Sequence, residues 1–221
     1  MKKVSAIIVA AGEGKRFGSA KQFVLLKGKP VLDRTLETFE EHMKVTEIIL
    51  VVREDWLREK YLSRYKKLVA VVRGGEKRQD SVIAGFNQLK PDQADIVLVH
   101  DGVRPLVGKD LISRVIEAAE QKGAAIPALS LEDTIKRVEE ERVVKTLDRL
   151  TLFKVQTPQG FFYTTLERAL RKAKEDSFYG TDEASLVERI GEKVYIVEGD
   201  TQNIKITGPE DIHIAEALLA D

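Results

Sequence analysis

The 221-residue chain contains no cysteine, which excludes a disulfide scaffold, a thiolate nucleophile and any cysteine-held zinc. Histidine is scarce as well. His42, His100 and His213 are far apart and form no H-E-x-x-H pattern, so a histidine metal site is not expected. Net charge is also missing: 36 Lys plus Arg balance 36 Asp plus Glu, so no global field draws the chain to nucleic acid or anionic lipid. Any anion site must therefore be built locally. Long apolar runs are absent too, and none approaches the roughly 20 residues of a membrane span. The apolar stretch behind Lys2 and Lys3 ends at Ala11 in a charged loop, which reads as a strand rather than a signal peptide and predicts a cytoplasmic protein. Internal repeats and low-complexity tracts are likewise lacking.

What is present is a β-α alternation. Val4 to Ala11, Ile48 to Val52, Leu68 to Val72 and Ile96 to Val99 are short runs rich in β-branched residues, without the polar/apolar alternation of a sheet wetted on one face. Strands buried on both faces look like this. Between them, Val31, Leu32, Thr35, Leu36 and Phe39 recur at helical spacing behind Pro30, and further helices are predicted over 55–65, 77–89 and 109–121. The pattern predicts an α/β fold: a three-layer domain over residues 1–221 with a mostly parallel, twisted, Rossmann-like sheet and ligands beyond the strands' carboxyl ends. After a strand at 124–129, residues 131–150 alternate around a charged turn at Glu139 to Glu141 and predict a protruding β-hairpin arm. A two-stranded ribbon is marginal alone, so the arm is expected to lean on a second subunit. A strand at 152–155, helices over 164–174 and from a Thr181 cap, a strand at 194–197 and a final helix over 209–220 complete the reading.

Four segments carry chemistry. The first, Gly12-Glu13-Gly14-Lys15-Arg16-Phe17-Gly18, follows a strand, and its glycines allow successive backbone N–H groups to face one concavity while Lys15, Arg16 and Lys21 supply charge. It fits neither the Walker A spacing nor Gly-x-Gly-x-x-Gly, so a P-loop NTPase and a nicotinamide dehydrogenase both lose ground. Its plainer reading is a solvated glycine-rich turn. The second, Gly74-Gly75-Glu76, leads to Arg78 and Ser81, one helical turn apart, with the glycines admitting close approach of a base or sugar. The third, His100-Asp101-Gly102-Val103-Arg104, ends a buried strand in a carboxylate. Asp101 there would hold Mg²⁺ and Arg104 would clamp a phosphate, or the two would simply pair with each other. In the fourth, Lys205 lies between Ile204 and Ile206 and is expected to point away from them, or to be a surface lysine on an edge strand.

Taken in order, Ala10-Ala11-Gly12-x-Gly14-x-Arg16-x-Gly18 with Lys21-Gln22, Gly74-Gly75-x-x-Arg78-x-Asp80-Ser81, His100-Asp101-Gly102-x-Arg104-Pro105, Asp133-Thr134, Asp148-Arg149, Thr157-Pro158-Gln159-Gly160, Thr181-Asp182-Glu183 and Asn203-Ile204-Lys205 resemble the family of 2-C-methyl-D-erythritol 4-phosphate cytidylyltransferases. The resemblance runs the length of the chain. It implies a nucleotidyltransferase fold and the reaction of CTP with 2-C-methyl-D-erythritol 4-phosphate to give the cytidine-diphosphate alditol and pyrophosphate, with Mg²⁺. It further implies that Ala10, Ala11, Gly12, Gly14, Arg16 and Lys21 cradle the CTP phosphates, with Gly75, Glu76, Ser81 and Gly102 around the nucleoside. Lys21, Lys205 and Arg16 would be catalytic. Asp101, Arg104 and Thr181 would hold the acceptor, joined by Thr134 and Arg149 from a partner's arm in a homodimer. Gly102 stands where an alanine is commoner in the family, and the loop between Arg16 and Lys21 is short. Two other functions suit the same residues: transfer to another alditol phosphate such as ribitol 5-phosphate, and CTP sensing without turnover.

Overall fold

In the computed structural model, residues 2–14, 17–18, 20–53, 61–91 and 94–219 are described. The expected helix over 55–65 falls mostly outside them, as does Arg16.

The apolar runs become strands covered on both faces. The central strand β1 (Val4–Val9) pairs in parallel with β4 (Glu47–Val52) on one side and β6 (Ile96–Asp101) on the other, with β5 (Leu68–Arg73) outside β4. Two two-residue strands, β2 (Leu25–Leu26) and β3 (Lys29–Pro30), form a small separate hairpin. Beyond β6 come β11 (Gln159–Phe162), antiparallel to both neighbours, then β7 (Ala124–Ser130), and β12 (Tyr195–Glu198) parallel to β7. A short β10 (Phe153–Val155) continues beside the far end of β7. The sheet is thus mostly parallel, with β11 inserted antiparallel and β10 antiparallel beside β7.

Helices α1 (Val31–Glu41) and α3 (Lys109–Lys122) cover one face, where Ala6, Ile8, Leu50 and Leu98 are buried. On the other face α2 (Arg78–Phe86), α4 (Tyr163–Glu175) and α5 (Glu183–Arg189) enclose Ile7, Ile49, Val97 and Val99. Alternate residues of the same strands feed both cores, which is why they lack a regular polar/apolar alternation. A third small cluster, Leu26, Val31, Val103, Ile206 and Ala215, docks α6 (Glu210–Leu218) and the 200–207 segment at the strand ends.

Strands β8 (Ile135–Glu139) and β9 (Arg142–Leu147) pair only with each other. Their turn is Glu140-Glu141, with φ of 46° and 63°. Left-handed values at both central residues match the twist of a hairpin and usually call for Asn-Gly. Val138, Val143 and Val144 are exposed along the arm.

Several boundaries differ from expectation. The N-cap of α5 is Asp182, whose carboxylate accepts from the Ser185 N–H, and not Thr181. The segment around Lys205 is extended coil rather than a strand. Neither β11 nor the β2–β3 hairpin was among the expected elements.

Gly85 lets α2 lie close against the sheet: a Cβ there would stand 2.6 Å from Ile7 Cγ2 and 2.9 Å from Val51 Cγ2. Alanine would gain about 1 kcal/mol of helix propensity, against about 1–3 kcal/mol of overpacking on β-branched neighbours that cannot rotate aside. Gly85→Ala should therefore lower stability by roughly 1 kcal/mol in urea unfolding. An unchanged or raised midpoint would show that the helix can shift freely.

Candidate active site

The ladder hydrogen bonds run past the formal strand ends. Ala10 N–H donates to Val51 O at 2.7 Å, Gly74 N–H to Val52 O at 2.7 Å and Gly102 N–H to Val9 O at 2.8 Å. The loops after β1, β5 and β6 are thereby held side by side along one edge. Between them lies a cavity of about 200 Å³, walled by Ala10, Ala11 and Gly12 on one side, Gly75, Glu76 and Ser81 on another, and Lys21, Asp101 and Lys205. A wider shoulder of about 490 Å³ continues past Gly14, Arg53 and Lys77, with Lys21 lining both spaces.

Gly14 and Gly18 have φ of 68° and 79°, the left-handed values that the tight loop demands. No side chain approaches Gly12, so its backbone opens to the cavity. The second glycine pair is also required by the protein's own packing. A Cβ on Gly74 would lie 2.3 Å from Ala11 Cβ and 2.7 Å from Ser81 Oγ, and one on Gly75 would lie 2.3 Å from Asp80 Cβ. These glycines let two protein loops touch, whatever they later offer a ligand.

The floor is a chain of alternating charge. Asp101, 6% exposed, receives Arg78 Nε on Oδ1 at 3.0 Å and Lys205 Nζ on Oδ2 at 2.8 Å. Arg78 also reaches Glu183 Oε1 through Nη1 at 2.7 Å. Burial alone would raise the Asp101 carboxyl, but Arg78 and Lys205 together hold it well below the usual carboxylate range. Burial raises Glu183 in spite of Arg78. For Arg78 burial works downward, and the two carboxylates outweigh it, so the guanidinium stays charged.

A second network fixes the frame. Arg104 O, 3.3 Å from His100 Nε2, can only accept, so the neutral ring carries its proton on Nε2 and its Nδ1 accepts at 3.1 Å from the Thr157 hydroxyl, whose oxygen accepts in turn from the Asp101 N–H at 3.1 Å. His100 is fully buried, and burial pushes its pKa down to about 3, consistent with a neutral ring. The 200–207 segment is latched by Gln156 Nε2 to Asp200 O at 2.7 Å, Asn203 Nδ2 to Thr157 O at 2.8 Å and Arg104 Nη1 to Asn203 O at 2.7 Å. Asp211 Oδ2 then accepts from Thr207 N and Oγ1, both at 2.6 Å, and from Gly208 N at 2.8 Å. The result is a rigid shelf that presents Lys205 to the cavity.

Of the residues singled out from sequence, Ala10, Ala11, Gly12, Lys21, Gly75, Glu76, Ser81, Asp101 and Lys205 line the cavity, and Gly14 lines its shoulder. Gly102 sits behind the wall, where a Cβ would be 3.0 Å from Ala10 Cβ and 3.1 Å from Leu32 Cδ1. Arg104 is 7% exposed and engaged with Asn203, 3.9 Å from Asp101. Thr181 is exposed just before the N-cap of α5, while Thr134 and Arg149 are exposed on the arm, with Arg149 Nη1 donating to Glu132 O. None of these four side chains lines the cavity. Sequence reasoning noted Arg78 only as a neighbour of Ser81 and missed the pairing of Glu183 with it. Glu183 lies 105 positions away, and no local signal joins them.

A mostly parallel sheet with β11 inserted antiparallel, three strand-end loops around a cationic cleft and a projecting hairpin define a Rossmann-like nucleotidyltransferase. Residues 4–221 match the family model described as IspD: 2-C-methyl-D-erythritol 4-phosphate cytidylyltransferase. A relative of that name from Geobacillus kaustophilus is 47% identical over 221 residues, covering 97% of this chain and 96% of the relative. The crystal structure of 4-diphosphocytidyl-2C-methyl-D-erythritol synthase from Anaerococcus prevotii aligns with a TM-score of 0.89 at 36% identity, covering 100% of this chain and 97% of that one. The corresponding cytidylyltransferase of Thermus thermophilus aligns at 0.82 and 35%, over 99% of this chain and 100% of that one. The chain belongs to the 2-C-methyl-D-erythritol 4-phosphate cytidylyltransferase family.

The neutral His100 sets a pH dependence. Its folded pKa lies below the ordinary 6.5, so the unfolded chain binds a proton first as pH falls, and the associated stability is complete above about 6.5 and lost towards about 3. Between pH 7 and 5 this amounts to about 2 kcal/mol. Urea unfolding at the two pH values should show the loss; equal stabilities would mean that the ring protonates inside the fold.

Proposed function

We propose that this protein transfers the cytidylyl group of CTP to 2-C-methyl-D-erythritol 4-phosphate, releasing pyrophosphate. The observation that carries this reading is the convergence of Lys21 and Lys205, from loops far apart in sequence, on one cavity beside the Gly12 amide loop. An oxygen of the acceptor phosphate attacks the α-phosphorus as the bond from that phosphorus to the bridging oxygen breaks, and pyrophosphate leaves with the bond's electrons. A phosphate monoester has a second pKa of about 6 and is largely dianionic at neutral pH, so no side chain has to remove a proton. The obstacle is repulsion between two polyanions. Lys21 and Lys205 oppose it at the non-bridging oxygens of the α-phosphate, and the loop amides from Gly12 onward, with Arg16, take the outer phosphates. Glu76 and Ser81 face the nucleoside.

Magnesium is the expected companion of the triphosphate, but the residues do not fit an ion held by Asp101. Both its oxygens already face cations, and among the described residues there is no group of three metal-ligating side chains. The ion is read here as travelling on the nucleotide, and Asp101 as the counter-ion of Arg78 and Lys205. Asp101 and Thr181 remain the groups for the acceptor's hydroxyls, with Arg104 holding the shelf beneath. Among the described residues no helix is long and apolar enough to cross a membrane. A cytoplasmic location is in keeping with that.

The arm is read as a dimerisation element over 131–150 that carries Thr134 and Arg149 into a second copy's site. Exposed Val138, Val143, Val144, Leu150 and Phe153 support this, as does the absence of either polar residue from this chain's own cavity.

Removing a donor that meets the transition state costs about 3 kcal/mol. Lys21→Ala and Lys205→Ala should each lower turnover by about a hundredfold or more at saturating substrates; near wild-type turnover would remove that lysine from the chemistry. Arg149→Ala should raise the Michaelis constant for the alditol phosphate far more than that for CTP. Mixed dimers pairing Lys205→Ala on one chain with Arg149→Ala on the other should regain one intact site, and a failure to recover activity would count against arm exchange.

A further inference from the structure

Glu183 is 1% exposed, and its Oε2 has no hydrogen-bond partner among the described residues. A half-satisfied buried carboxylate is costly, and a well-packed apolar side chain would serve stability as well or better. Its place is nonetheless tightly determined. Asp182 next to it accepts from Gln159 Nε2 at 2.8 Å, and Gln159 Oε1 accepts from the Ala184 N–H at 3.1 Å, so the start of α5 is clamped to β11. From the other side Gln79 of α2 donates through Nε2 to Phe178 O at 3.0 Å and accepts from the Gly180 N–H at 2.9 Å. Two independent braces thus aim one carboxylate at Arg78.

Among the described residues Arg78 alone pairs with both Glu183 and Asp101, giving one oxygen of each carboxylate a nitrogen. An arginine left with a single carboxylate prefers to grip both of its oxygens with its planar fork. Were Glu183 neutral, Arg78 would be drawn onto both oxygens of Asp101 and would compete with Lys205, which is held at 2.8 Å on Oδ2. We infer that Glu183 is a positioning residue: it restrains Arg78 to one oxygen of Asp101, so that the other is left to seat Lys205 in the cavity. The inference rests on the transfer reaction proposed above only for its kinetic consequence, since the geometry it concerns exists without substrate.

The test uses Glu183→Gln, which keeps the shape and removes the charge, with Glu183→Asp, which keeps the charge and shortens its reach, as a second variant should the first fold poorly. Pyrophosphate release by the wild-type protein, requiring both CTP and the alditol phosphate, checks the reaction separately. In Glu183→Gln, turnover should fall at least tenfold, with the Michaelis constant for CTP within about threefold of wild type. Combined with Lys205→Ala it should cause little loss beyond that of Lys205→Ala alone, because both changes disable the same lysine. A merely structural role would instead give multiplying losses, or a loss that tracks unfolding. A crystal structure of Glu183→Gln reads the same point without activity. Arg78 on both oxygens of Asp101 with Lys205 displaced would bear the inference out. Arg78 and Lys205 in unchanged positions, or wild-type turnover in both variants, would overturn it even if the wild-type protein transfers cytidylyl groups normally.

Discussion

One buried carboxylate, that of Asp101, is divided between Arg78, from the helix after β5, and Lys205, from the segment before the last helix. Most other ion pairs of the molecule join exposed side chains, such as Lys44 with Glu117 or Lys109 with Glu41, where water screens the attraction. The Asp101 pairs are different. Breaking a buried pair from one side leaves a charge without compensation, at about 3–5 kcal/mol. The strand ends, the helix that starts at Arg78 and the shelf that ends at Lys205 all meet at this group, so their mutual placement follows from its needs.

This arrangement reconciles a neutral protein with a polyanionic reaction. The chain as a whole carries no formal net charge. The cleft nevertheless gathers Lys21, Lys77, Arg78 and Lys205 around its walls, with Asp101 and Glu76 as the acidic members. Local excess of positive charge suits phosphate, and local carboxylates offset the repulsion among the cations before a ligand arrives. A site designed this way draws on positioned charge rather than on a titrating side chain, which accords with His100 being held neutral as part of the frame.

Much of this was visible in the linear sequence, and the reasons for the exceptions are physical. Strands β1, β4, β6 and β7 are continuous apolar runs because both faces are covered, and that pattern survives without structural context. β11 does not look like a strand: it begins Gln159-Gly160, and Gly160 is there because a Cβ would meet Val115 Cγ1 at 2.8 Å and Leu98 Cδ2 at 3.2 Å. A residue chosen for helix-to-sheet proximity thus imitates a turn signal. The glycines and lysines of the cleft were legible because their types are unusual beside strands. The pairing of Arg78 with Glu183 was not, since each is an ordinary charged residue at a helix start and only the tertiary fold joins them. Thr181 was taken for a cap one place too early, because Asp182 offers the same kind of oxygen and adopts the extended backbone the cap requires.

The contact at Gly74 has a mechanical corollary. With its α-carbon seated against Ala11 and Ser81, the segments after β1 and β5 form a single unyielding wall. On another side the Gln22 side-chain amide donates to Gly12 O at 3.4 Å and ties the short turn bearing Lys21 to the first loop. Any side chain larger than hydrogen at position 74 would therefore be felt in the loops after β1 and β5 at once.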